Sequence, residues 1–117
     1  MLNYSVYLGF VKKPIRLKDK HGKAFLQNDL KVERPYRSPN SGVLYDTIPF
    51  RLTGQAAQRF ADLYARRTER RDAIVLAGRM TTIETADQQR INILDVNEFY
   101  IPGIGSNGNM KSETETT

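Results

Sequence analysis

The stretch "IVLAGRMTT", residues 74–82, begins as a buried β-strand and then breaks its own pattern. Ile74, Val75 and Leu76 run in succession, Gly78 and Arg79 interrupt, and Thr81 and Thr82 return to β-favouring side chains. Glycine inside a strand costs roughly 0.5–1 kcal/mol relative to alanine, so it marks a bulge, a sharp bend or a close backbone approach. Such a bend belongs to a strongly coiled sheet, and the flanking segments say how that sheet closes.

Upstream, residues 2–10 alternate. Leu2, Tyr4, Val6, Leu8 and Phe10 share one parity, and Asn3, Ser5 and Gly9 lie on the other, the period-two pattern of a half-buried strand. "KDKHGK" (18–23) has turn composition, and residues 24–34 form a second strand carrying Phe25, Leu30 and Val32. "PYRSPNSG" (35–42) is a loop, and a third strand follows at about 43–52, where Pro49 places its amide at an edge or a bulge. The period then changes. Ala56, Ala57, Phe60, Leu63 and Tyr64 recur at helical spacing behind Thr53, a candidate N-cap, with Arg66 and Arg67 in the last turn.

Downstream, the opening strand extends over about 73–84, and a polar turn (84–89) leads into a fifth strand at 90–101. There Ile91 and Ile93 share one face and Leu94 and Val96 the other, so either a bulge lies near Ile93 or both faces are buried. From Pro102 the chain, "PGIGSNGNMKSETETT", is low in hydrophobicity and without period, and is expected to be a flexible tail. The expectation is one domain over residues 1–101 with a tail at 102–117. Five short strands and one helix, with glycine in two strands, predict an all-β fold with one helix, a small closed barrel whose helix lies between strands three and four. Gly78 lets a strand turn the barrel corner. The oligonucleotide/oligosaccharide-binding (OB) barrel has this order and binds its ligands on one face.

Composition narrows the function. A chain of 117 residues can bury a core without staples, and the absence of cysteine excludes disulfides and thiolate metal sites. His21 is the one histidine. No apolar run approaches the roughly 18–20 residues of a membrane span, and "MLNYSVYLGF" lacks the basic start of a signal peptide, so a cytoplasmic protein without membrane contact is expected. Through Ile83 there are 16 Lys/Arg against 7 Asp/Glu, a net of +9, whereas from Glu84 onward 2 face 6, a net of −4. The globular part is thus strongly basic, which suits a polyanion partner or serves only solubility. No carboxylate pair has a spacing that commits to acid/base or metal chemistry, and no glycine-rich phosphate loop is present. No enzyme activity, cofactor or metal is expected.

Three segments carry a resemblance to a family. "MLNYSVYLGFVKKP" resembles the start of bacterial and phage single-stranded-DNA-binding proteins. "YDTIPFRLTGQAAQRFADLY" resembles their third strand and helix, and "IVLAGRMTT" their fourth strand, an apolar run followed by Gly-Arg-hydrophobic-x-Thr. The similarity spans about residues 1–100. It implies a homo-oligomer, dimer or tetramer, that coats single-stranded DNA without sequence preference in replication, recombination or DNA transfer. It also implies a basic groove for phosphates and aromatic platforms on which bases stack.

Two departures qualify the resemblance. The chain has no tryptophan, and Thr47, Thr53 and Thr85 stand where aromatics of the binding face are expected. Its end, "SETETT", is acidic but lacks the terminal Pro-Phe of cellular members, in keeping with a phage- or plasmid-encoded relative. The remaining stacking candidates are Tyr36, Tyr45 and Phe50. Tyr36, between Arg34 and Arg37, either stacks on a base or packs on the barrel rim, and Tyr45 and Phe50 are equally readable as core. Phe60 and Tyr64 read as core.

For phosphates the candidates are Lys12, Lys13, Arg16, Lys18, Lys23, Lys31, Arg34, Arg37, Arg51 and Arg79. The cluster at 12–23 has a second reading, a charged edge that discourages strand pairing. The alternative to DNA coating is a barrel that serves as a protein-interaction subunit of a replication or conjugation complex. Binding of RNA or duplex by the same basic face is a third reading.

Overall fold

A computed structural model describes residues 3–40, 42–66 and 73–106, except for the side chains of residues 36–38. In chain order the elements are β1 (Ser5–Val11), β2 (Lys18–Lys20), β3 (Lys23–Ser38), β4 (Gly42–Thr53), α1 (Gly54–Ala65), β5 (Ile74–Glu84), β6 (Arg90–Ile101) and β7 (Gly105–Ser106). Five strands close a ring. β1 pairs with β5, β5 with β6, β6 with β4 in parallel, β4 with β3, and β3 back with β1 through Phe10–Lys31 and Val11–Leu30. This is the closed five-stranded OB-fold barrel. The expected turn at 18–23 holds an extra three-residue strand against Ala24 and Phe25, so the helix falls between the fourth and fifth strands in chain order rather than between the third and fourth.

Two glycines make the closure possible. At Gly9, β1 leaves β5 and turns onto β3, and a Cβ there would stand 2.3 Å from the Lys31 carbonyl oxygen. At Gly78 a Cβ would stand 2.1 Å from the Asp95 carbonyl oxygen. The β5–β6 register shifts between Ala77 and Gly78, leaving Asn97 as the extra residue on β6. The irregularity of β6 is therefore at Asn97, not near Ile93. Ile93 and Leu94 are both fully buried, so burial on both faces is the solution the chain uses.

Leu26, Leu30, Phe50, Leu52, Ile74, Leu76, Leu94 and Phe99 fill the barrel, and α1 plugs its end with Ala57, Phe60 and Leu63. Phe60 meets Phe50 and Phe99 edge-on and stacks on Tyr64 at 5.6 Å. Thr53 occupies the N-cap position with extended backbone, but its side chain makes no cap hydrogen bond. The alternation of β1 has the opposite sense from a buried apolar row. Tyr7, Gly9 and Val11 face inward, while Tyr4, Val6 and Leu8 point out and are 47%, 62% and 60% exposed. Closing the ring requires Gly9 to face the Lys31 carbonyl, and that sets the parity of the whole strand.

The segment expected to be tail from Pro102 begins as structure. Residues 102–104 turn, Gly105–Ser106 pairs with Tyr100 and Ile101, and Ile104 packs on the core. Residues 107–117, and Arg67, Arg70 and Arg71, lie outside the described residues. Among the described residues no helix is long and apolar enough to cross a membrane.

Candidate nucleic-acid interface

Strand register decides which side chains share the outer surface. β3 and β4 pair Phe25 with Thr53, Gln27 with Arg51, Asp29 with Pro49, Lys31 with Thr47 and Glu33 with Tyr45. The intervening residues Leu26, Leu30, Phe50 and Leu52 are core, so these odd positions form the outward face. Arg51 continues the row to Asp95 on β6, and Asp95 to Arg79 on β5. The result is a curved surface across β2, β3, β4, β6 and β5, rich in cations and edged by the Lys12–Leu17 loop.

The basic residues fall into two groups. Lys12, Arg16, Lys18, Lys23 and Arg79 are exposed. Lys13 pairs with Asp29 at 2.9 Å, Arg34 with Asp46 at 2.8 Å, and Arg51 with Asp95 at 3.4 Å, while Lys31 Nζ donates to Thr47 Oγ1 at 2.7 Å. Where exposed, pairs of this kind add only about 0–1 kcal/mol to stability, so the main consequence of the Lys13, Lys31 and Arg51 contacts is to orient cations on the outward face, whereas Arg34 and Asp46 are at even positions and share the opposite side of the β3–β4 ladder. Thr47, where an aromatic was expected, serves as an acceptor for Lys31.

Of the aromatic candidates, Phe50 is corrected: it is fully buried in the barrel, against Phe60, and presents no face to a ligand. Its even position on β4 puts it inside. Tyr45 is outward and exposed, held edge-on against Phe10 with ring centroids 5.6 Å apart. Tyr36 lies within the irregularity of β3 between Glu33 and Arg37, Arg37 resumes the pairing opposite Val43, and the side chains of both lie outside the described part.

The aromatic missed by sequence reasoning is Phe25. The sequence sets it in one strand with Leu30 and Val32, but its parity is odd, and it stands half-buried on the outward face with Lys20 Nζ 5.6 Å from the ring centroid. On one side of Phe25 lies a cleft of about 450 Å³ lined by Lys13, Pro14, Arg16, Lys18, Gln27, Asn28 and Asp29, the last paired with Lys13. On the other, a second cleft of about 370 Å³ is lined by Lys20, His21, Lys23 and Thr53. Parity against Leu26 and Leu30 was the available signal, since Phe25 is one residue out of step with both.

The loop that walls the first cleft is fastened from below. Asn28, only 8% exposed, donates through Nδ2 to the Lys13 and Pro14 carbonyl oxygens at 3.3 and 3.1 Å. Opposite, the β5–β6 turn is tied by Thr85, whose hydroxyl donates to Asp87 Oδ1 at 2.6 Å and accepts from the Gln89 amide. The Thr85 hydroxyl lowers the Asp87 pKa below its ordinary value. Thr85, a second position where an aromatic was expected, is thus a turn residue. Among the described residues no group of three or more His, Cys, Asp or Glu is placed to hold a metal ion.

No protein-family model matches the chain, and no curated protein matches it. Solved structures do. The chain superposes on the small single-stranded DNA-binding protein of Streptomyces coelicolor with a TM-score of 0.62 at 12% identity, covering 85% of this chain and 92% of that one. The small single-stranded DNA binding protein of Mycoplasma pneumoniae gives a TM-score of 0.63 at 13% identity, over 88% and 96%. The N-terminal domain of PriB protein from Thermoanaerobacter tencongensis, whose structure is described as dimeric, gives 0.57 at 16% identity, over 86% and 97%. At these identities the likeness establishes the OB fold of the chain.

Proposed function

We propose that this protein binds single-stranded DNA without sequence preference, and protects it during replication, recombination or DNA transfer. The observation that carries the reading is the outward face of β2, β3 and β4, where Phe25 stands between two clefts lined by Lys13, Arg16, Lys18, Lys20 and Lys23. A half-buried ring among cations on an outward face is an arrangement that holds a strand by its two uniform features, base faces and phosphates. The likeness to two single-stranded DNA-binding proteins supports the same reading. The outward row Tyr4, Val6 and Leu8 supports self-association through β1, as a dimer or tetramer.

Fluorescence anisotropy of a labelled oligo-dT, with duplex and RNA controls at two salt concentrations, tests the reading. Salt-sensitive binding that favours single-stranded DNA is expected. Equal affinity for duplex would indicate a surface acting by charge alone. Absence of binding at low salt would refute the reading and favour a protein-interaction barrel.

A further inference from the structure

One acidic residue sits where a phosphate-binding face should least tolerate it. Gln27, Arg51, Asp95 and Arg79 form one row across β3, β4, β6 and β5, so Asp95 has an arginine on the neighbouring strand to each side. Arg51 Nε and Nη2 lie 3.4 Å from Asp95 Oδ1 and Oδ2, a two-pronged approach, with the side chains 27% and 33% exposed. Close charge-assisted pairs of this type are about 2.7–2.9 Å, so the fork faces the carboxylate without closing on it. Arg79 is exposed and has no ion-pair partner among the described residues. Guanidinium forks match carboxylate and phosphate alike, which makes the space around the Asp95 carboxylate an anion position.

We propose that one phosphodiester of a bound strand takes this position between Arg51 and Arg79, and that Asp95 is its resident competitor. The inference rests on the single-stranded DNA reading above. The carboxylate has little freedom to withdraw, because the Asp95 backbone is paired on both sides and its carbonyl lies against Gly78. An incoming phosphate therefore meets Arg51 already paired with a carboxylate, and the same carboxylate on the strand beside Arg79. Asp95 lowers affinity at this position and keeps Arg51 aligned while the site is empty, a brake that favours release of the strand.

The test is Asp95→Asn, which keeps the shape and an acceptor for Arg51 but removes the charge. Asp95→Ser serves as a second variant should the amide disturb the fold, and melting curves establish that each is folded. Asp62→Asn, on the outer surface of α1 beside Arg66, changes net charge equally at a remote place. Removing a like charge about 4 Å from a phosphate is worth about fivefold even at the dielectric of water. One more phosphate neutralised steepens the log–log salt dependence by about 0.7.

Oligo-dT binding at least about fivefold tighter with the steeper slope is expected for the Asp95 variants. Asp62→Asn should stay near wild type, and Arg51→Gln in the Asp95→Asn background should cancel the gain. Unchanged or weaker binding by the folded Asp95 variants overturns the inference, as does an equal gain in Asp62→Asn. A wild-type protein that does not bind oligo-dT overturns the underlying reading and the inference with it; wild-type binding without the gain overturns the inference alone.

Discussion

Gly78→Ala tests the reasoning that joins the fold to the interface. The added methyl would lie 2.1 Å from the Asp95 carbonyl oxygen, 2.9 Å from its carbon and 2.9 Å from the Val96 Cα. All three are backbone atoms of β6, so no side chain can swing aside. Restoring an ordinary contact requires β5 and β6 to part by about 1 Å at the Asn97 bulge, an overpacking that costs about 3 kcal/mol or more with the ladder disturbed. For a domain of roughly 100 residues each kcal/mol lowers Tm by about 4–8 °C, so a loss of about 12–24 °C is expected. Thermal denaturation followed by circular dichroism measures it. Because Arg79 and Asp95 flank the same contact, weaker oligo-dT binding should accompany the loss even well below the new Tm. A variant melting within about 3 °C of wild type, a shift worth under about 1 kcal/mol, would refute the close-approach account.

Phe25→Ala should weaken oligo-dT binding by about 5- to 150-fold, the range of one lost stack, whereas Phe25→Tyr should retain it; equal affinity of the alanine variant removes Phe25 from the interface. Leu8→Glu places a charge in the exposed row of β1, and sedimentation should then show a monomer where wild type is a dimer or tetramer; a monomeric wild type contradicts self-association through β1. Asn28→Ala removes both bonds to the Lys13–Pro14 backbone and should cost about 1–3 kcal/mol in denaturant unfolding, with faster amide exchange in the Lys12–Leu17 loop. The Tyr4 phenol donates to the Glu98 carboxylate, and that bond, then burial and the Glu98 charge, raise its pKa above 10.0. Folding thus favours the neutral phenol, a contribution present in full below about pH 10 and lost as pH rises through the raised value. The ultraviolet titration difference between wild type and Tyr4→Phe should show a midpoint above 10.0, and a midpoint at or below it contradicts the bond.

Several features were legible in the residues themselves. The five barrel strands, the helix after Thr53 and the special position of Gly78 follow from local periodicity and from the cost of glycine inside a strand, both properties of consecutive residues. The basic character of the first 83 residues needs only counting. Even the exchange of Phe25 for Phe50 on the outer face was within reach, because each shares or opposes the parity of its leucine neighbours.

Tertiary closure decided the rest. Alternation in β1 separates two rows but does not say which faces the core; the approach of Gly9 to the Lys31 carbonyl does, and it turns Tyr4, Val6 and Leu8 outward. The short β2 exists because Phe25 and Ala24 offer it a partner, not because "KDK" favours a strand. Arg51 and Asp95 are 44 positions apart, and only the parallel register of β4 and β6 sets them side by side with Arg79 beyond. Local chemistry thus determined which elements this chain builds, while the pairing of distant strands determined which side chains share its outer face and what charge a ligand meets there.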